Sequence, residues 1–582
     1  MRRLFPCVFV LLLLAAPGAW ARDPITPLRD VHRGLHCTAR TVVQGTTISE
    51  FDVDVLDVVA DQFGDGARIL VHVSGPAVAA TGIASGFSGS PVYCPDANGA
   101  IGNAGAISAT IGQYGGDVGL VTPIEQMLAL PVKPPSGIRR APKVLRAARA
   151  LASPLVVSGL SPQLAQLLEQ AAAARDRALV AAPAGPLGTF PPQQLVPGAS
   201  VAVGLSTGTI GVSAIGTLTY RDGDVVYAFG HPLEAAGRRA LLLQDAYVFT
   251  VISNPLDVGI ASSYKLAAPG HTLGTLTNDA LAGVVGTVGA APRTVPLTVR
   301  VTDADTGARL VQRTSLVDEV DLGDPDGEGL LSAIAGLGVA QAVMTAYNGA
   351  PAQETGRMCM TIRVRELPRP LRRCQRHVTE EPIDPQDPPP LALSMGDDLS
   401  SALNLIGGAR YRALHLTRID VSATVERGLR LATILDARIA HPQVRPGQRV
   451  GVRLRVRLLR GPVRTLRCTL RVPRGIRPGA RTLRILGTPV EGLGGGGDFF
   501  SLIEELFGDE AGGAQSMDEL LLRFALQADW DGVTAQIAGR PVRLCRSPQV
   551  RIDGRAVLAV KVKRPQPRVR HTAVGRILET RG

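Results

Sequence analysis

The sequence predicts a mainly β chain of several domains, and three observations carry that reading. At roughly 150 residues per domain, 582 residues make three to five units. Glycine (65) and proline (43) are abundant, so turns are frequent. Several runs alternate apolar and polar residues with period two, as half-buried strands do. Apolar residues at 45% and charged residues at 19% exclude a wholly disordered chain. Aromatics at 4% exclude a stacking platform for single-stranded nucleic acid. The net charge is +12, and only five basic residues are lysine. Such a surface attracts anionic partners, among them cell-wall polymers, phospholipid headgroups and acidic proteins.

Residues 1–21 read as a secretory signal peptide. Arg2 and Arg3 form the positive start, Leu4 to Ala16 is an apolar stretch too short to span a bilayer, and Ala19-Trp20-Ala21 is the cleavage site. No later run predicts a membrane span in the mature chain, which is expected to be secreted or held in the cell envelope. Six cysteines remain after Cys7 leaves: Cys37, Cys94, Cys359, Cys374, Cys468 and Cys545. They segregate along the chain as neighbouring pairs. The simplest of the possible connectivities is Cys37–Cys94, Cys359–Cys374 and Cys468–Cys545.

Residues 22–130 form a compact β-rich block. Phe51 to Val59 alternates apolar and acidic residues, and Ile69 to Val73 is a second strand. Ile101 to Ile111, rich in Gly and Ala, predicts a tight hairpin. Pro123 to Leu128 predicts a short helix. Residues 131–195 read as a Pro- and Arg-rich linker with a helical insertion, where Ser161 caps a helix begun by Pro162. Strands return in a second block, 196–377, in which Ile210–Tyr220 and Val225–Phe229 flank an Asp-Gly hairpin turn. Residues 329–344 predict a buried helix within it. Residues 378–395 read as an acidic, Pro-rich linker. Residues 396–490 carry the pattern of an immunoglobulin-like β-sandwich. Residues 491–582 predict an α/β segment, with helices over 498–507 and 517–527, strand over 541–563 and a basic tail.

One stretch carries chemistry: Gly86-Phe87-Ser88-Gly89-Ser90-Pro91. Glycines on both sides of a serine let the chain bend tightly, so that Oγ of Ser88 sits beside inward-turned amides, here those of Gly86 and Ser88. A base is needed, and His231 lies in a Gly-Pro turn at a strand end. Other groupings read as structural. His32 and His36 beside Cys37 lack partners at metal-ligand spacing, and His72 alternates within a strand. Asp303, Asp305, Asp324 and Asp326 sit in glycine turns without a calcium-loop pattern. The basic run from Lys561 to His571 suits a solvated tail or an anionic envelope surface.

These residues resemble the SpoIVB-type serine peptidases, the family of the sporulation signalling protease. Two blocks carry the resemblance. The first spans about 27–130, with Gly86 to Pro91 and Val121 to Leu128; the second spans about 196–300, with Ile215 to Tyr220, Gly230-His231 and Ser263 to Leu266. The resemblance implies a trypsin-like double β-barrel and a serine endopeptidase acting on protein or peptide, without cofactor or metal. Ser88 is then the nucleophile and His231 the general base. Here the serine block comes first, which geometry permits. Phe87 stands where the family usually has Met. The family's Asp before the serine is unmatched, since Val73-Ser74-Gly75-Pro76 occupies its place. His231 is then oriented by Asp245, Asp279 or a backbone carbonyl, with weak, alkaline-shifted activity. The alternative is an inactive peptidase-fold protein acting as a binding or scaffold module.

Overall fold

The computed structural model describes residues 22–564 apart from 61–65, 112–115, 136–154, 174–178, 183–189, 255–262, 323–326, 348–350, 352, 381–387, 488–512, 527–531 and 547–548. The expected signal peptide, the helix expected over 498–507 and most of the basic tail lie outside the described residues. Strand accounts for 54% and helix for 15%.

The first block is a closed barrel. Its strands are β1 (His36–Gln44), β2 (Thr47–Val59), β3 (Arg68–Ser74), β4 (Pro91–Pro95), β5 (Ile101–Ile111) and β6 (Val118–Pro123), followed by helix α1 (Ile124–Leu128). They close in the order β1-β2-β3-β6-β5-β4. In β2 the alternation works as read: Phe51, Val53 and Val55 are buried while Asp52 and Asp54 face water. The Cys37–Cys94 disulfide joins β1 to β4, where the barrel closes. The hairpin expected over Ile101–Ile111 is instead one continuous strand. Its small residues serve close backbone approach, because a methyl at Gly105 would lie 2.2 Å from the Thr122 carbonyl oxygen.

The segment 131–195 is more than an arm. β7 (Leu155–Ser158), α2 (Pro162–Ala173) and β8 (Leu179–Ala182) form a parallel β-α-β unit. β7 pairs with β10 below, so the unit extends the main sheet.

The second block supplies β9 (Ser200–Gly208), β10 (Gly211–Asp222), β11 (Val225–Ala228), β12 (Gly237–Ile252), β13 (Tyr264–Ala280) and β14 (Gly283–Val288). They run β9-β12-β13-β14-β11-β10 within a thirteen-stranded sheet, and a β9–β10 pairing closes those six into a ring. Leu218, Val226, Phe229, Leu243, Leu276 and Val284 belong to one core cluster of this region.

From that ring the sheet continues through β15 (Thr294–Asp303) and β16 (Arg309–Val317), with helix α3 (Gly327–Tyr347) following. It then takes in β17 (Gln353–Val364), β18 (Leu371–Glu380), helix α4 (Pro390–Gly407) and β19 (Leu416–Arg427). The 378–395 linker is therefore short, since β18 and α4 occupy both its ends. The apolar helix α3 packs against α4 in the largest core. Its stretch Leu330–Tyr347 is apolar and long enough to cross a membrane, but 83% of it is buried inside the protein.

The C-terminal β unit begins at residue 431, not 396. Its strands are β20 (Leu431–Ile439), β21 (Gln443–Val444), β22 (Arg449–Leu458), β23 (Val463–Arg471) and β24 (Gly479–Gly487). After helix α5 (Met517–Leu526) come β25 (Gly532–Ile537), β26 (Arg540–Arg546), β27 (Arg551–Asp553) and β28 (Arg555–Val562). They form two sheets, β23-β22-β20-β27 and β21-β28-β24-β25-β26, around one shared core. Residues beyond 491 thus complete this unit instead of forming a separate one. Among the described residues, Ala514 and α5 depart, placing Ala514, Leu520 and Phe524 in the large core with α4. Cys468–Cys545 ties the two sheets together, and Cys359–Cys374 joins β17 to β18.

Candidate active site

Ser88 lies on the loop between β3 and β4, and it is wholly buried. Gly86 and Gly89 both adopt left-handed backbone, φ 93° and 92°, where a side chain costs strain. At Gly89 there is also no room: a methyl would sit 1.9 Å from the Thr217 carbonyl oxygen and 2.5 Å from the Phe229 nitrogen. The serine turn is therefore pressed against the second block. Thr217 N–H donates to the Ser88 carbonyl (2.8 Å), its hydroxyl donates to the Gly86 carbonyl (3.0 Å), and the Thr219 hydroxyl donates to the Gly89 carbonyl (2.8 Å). The Phe87, Gly89 and Ser90 amides donate to Ala84, Ile107 and Phe87 carbonyls. The Gly86 amide has no hydrogen-bond partner among the described residues.

Lys265, on β13, lies against this turn and is fully buried. Its Nζ donates to Thr41 Oγ1 (2.8 Å), Thr217 Oγ1 (3.1 Å) and Ser200 Oγ (3.3 Å). It lies 5.1 Å from the centre of the Phe87 ring. None of those partners is a carboxylate, and burial pushes the amine down to about 7. The Lys265 stem is what a methyl at Gly86 would meet, at 3.1 Å. Lys265 N–H also donates to the Ser85 carbonyl. Sequence reading placed Lys265 in the matched block but gave it no role. The available signal was its rarity, an isolated lysine in a strand of a chain with five.

His231 follows β11, after Phe229 and Gly230 in left-handed backbone, and is 4% exposed. The Gly230 carbonyl accepts from Thr122 Oγ1 of the first barrel (2.6 Å). His231 Nδ1 lies 2.7 Å from the Pro232 carbonyl oxygen. A carbonyl only accepts, so the neutral ring carries its proton on Nδ1 and presents a lone pair at Nε2. That Nε2 is buried and has no hydrogen-bond partner. Burial pushes the imidazole down to about 4, with the Pro232 carbonyl opposing weakly. The His231 and Ser88 segments converge on one residue of β10, since Thr217, which binds the serine turn, also accepts from Phe229 N–H (3.3 Å).

Neither expected acid orients His231. Asp245 is turned to another histidine: it accepts from the Gln193 and His271 amides and lies 3.0 Å from His271 Nδ1. Asp279 accepts the amides of Leu233, Glu234 and Ala236, fixing the loop that follows His231 while leaving its ring alone. Burial raises the Asp279 carboxyl pKa. Of the three candidates for orienting His231, the backbone carbonyl fills the position.

No family model, curated protein or solved structure matches the chain. The chemistry available is thus read from the side chains alone. A neutral imidazole offers a buried lone pair, a serine sits on a glycine-built turn, and a buried amine lies against that turn.

Proposed function

We propose that the protein is an exported serine endopeptidase of the SpoIVB type, with Ser88 as nucleophile and His231 as general base. The observation that carries this reading is the state of His231. Its Nδ1 proton is held by the Pro232 carbonyl, and a buried, unpartnered Nε2 is left as acceptor. In the reaction Ser88 Oγ bonds to the substrate carbonyl carbon as its proton passes to Nε2. The carbonyl electron pair becomes an oxyanion, held by the Gly86 and Ser88 amides. Collapse breaks the C–N bond, and Nε2 returns its proton to the departing amine. Water then repeats the sequence on the acyl-serine.

The peptidase unit reads as a trypsin-like double barrel. The closed β1–β6 barrel and the β9–β14 ring support this, one carrying the serine and the other the histidine. The paired sheets of the C-terminal unit read as an immunoglobulin-like accessory domain. Three disulfides and the signal-peptide pattern support export.

A second reading, an inactive scaffold of the same fold, is favoured by one observation: Ser88 is wholly buried and His231 nearly so. Labelling the mature protein with a fluorophosphonate separates the two. The peptidase reading expects a stoichiometric adduct on Ser88, lost in Ser88→Ala and reduced at least a hundredfold in rate in His231→Gln. Absence of any adduct from pH 5 to 9 leaves the scaffold.

A further inference from the structure

The outer face of the sheet β23-β22-β20 is rich in arginine, which it shares with Thr433, Leu435, Thr465 and Thr469. Residues 431–471 contain ten arginines, one acid (Asp436) and no aromatic residue. Strand alternation sends Val450, Val452, Leu454 and Val456 of β22 into the core and Arg449, Arg453, Arg455 and Arg457 outward. The register then sets like charges directly opposite one another. Arg453 faces Arg438 on one side and Arg467 on the other, and Arg449 faces Arg471. All five are exposed. Such pairs cost stability, and the ion pair found within this group is Arg455–Asp436. Among the described residues, a face whose arginines oppose one another and share the single carboxylate Asp436 is arranged for an external anion.

The shape of the patch selects among anions. Arginines spaced about 5 Å across strands and about 7 Å along them make a regular grid, suited to an array of phosphates. At one end the β22–β23 turn exposes Leu459 (43%) and Val463 (40%). Apolar side chains flanked by Arg457, Arg460 and Arg464 suit the boundary between headgroups and acyl chains. A nucleic acid would offer those two residues nothing, and the aromatic residues that stack single strands are absent.

We propose that this face docks the protein on an anionic phospholipid surface, with the Arg438–Arg453–Arg467 row over headgroup phosphates and the Leu459–Val463 tip in the interface. The site is independent of the Ser88 region.

Sedimentation of the full mature chain with vesicles tests it. Binding is expected to phosphatidylcholine vesicles containing 30% phosphatidylglycerol, and not to phosphatidylcholine alone. It should weaken steeply with salt. Replacing the row, R438T with R453T and R467T, should weaken binding about a hundredfold, at about fivefold per arginine. Its melting temperature should not fall, because like-charge pairs are relieved and threonine suits a strand. If that variant fails to fold, R453T alone should lose about fivefold. Replacing the tip, L459S with V463S, should lose about tenfold and keep the salt dependence. Equal binding to neutral and anionic vesicles, or unaltered binding by the row variant, overturns the proposal. So does a duplex DNA that binds as tightly as the vesicles together with a silent tip variant, which would make the face a nucleic-acid site.

Discussion

A histidine whose Nδ1–H is tied to a neighbouring carbonyl is a weaker base than one backed by a carboxylate, because nothing charged stabilises the imidazolium as it forms. It is also unprotonated over a wider range. With His231 held at about 4, fluorophosphonate labelling of Ser88 should keep its His231-dependent rate from pH 6 upward and fall only near pH 4. In place of the alkaline shift expected from the missing acid, the low His231 value predicts an acidic limb. Lys265 predicts a second pH effect, on stability. Its folded pKa, about 7, lies below the ordinary lysine value of about 10.4. Between those limits the unfolded chain binds the extra proton, so stability rises with pH. Lys265→Met should remove that rise, read as melting temperatures at pH 6.5, 8 and 9.5. Ser88 and His231 stand out in the sequence because glycines and a motif mark them locally. The Lys265 environment was not, because its hydroxyl partners Thr41, Ser200 and Thr217 come from three distant strands.

Between elements, the decisive contact is backbone to backbone. The turn before β4 lies on β10 with no side chain between them at Gly89. Gly89→Ala places a methyl against the Thr217 carbonyl and strains a left-handed residue. It should destabilise by on the order of 2–4 kcal/mol, seen as a lower denaturant midpoint, and should abolish Ser88 labelling even where the chain stays folded. Strands with alternating acids, such as β2, were readable because one face must be dry and the other wet. β5 was misread because its glycines and alanines look like turn residues, while their cause is the approach of Thr122 from another strand. Small residues report crowding and bending with the same letters, and only the partner strand distinguishes them.

For the molecule as a whole, the disulfides divide stability between units. Cys468–Cys545 is the covalent link between the two C-terminal sheets. Replacing both cysteines by alanine should destabilise that unit by about 2–5 kcal/mol. Scanning calorimetry should then show an early transition, with labelling of Ser88 retained. Pairing by proximity in sequence read all three bridges, since each joins segments of one unit. Domain boundaries were harder, because β19 and α5 lie among C-terminal residues yet pack with the large sheet and its helices. The position of β19 governs how the protein is made. It sits inside the sheet, parallel to β15 and antiparallel to β17, with Leu297 and Ile362 both aligned to Ile419. A chain delivered from its N-terminus holds β15 and β17 long before β19 arrives, and each has an open edge until then. Closing that gap joins segments far apart in sequence, a slow step. Completion of the sheet must therefore wait until residue 427 has been synthesised, and the edges of β15 and β17 stay open to edge-to-edge association in the interval.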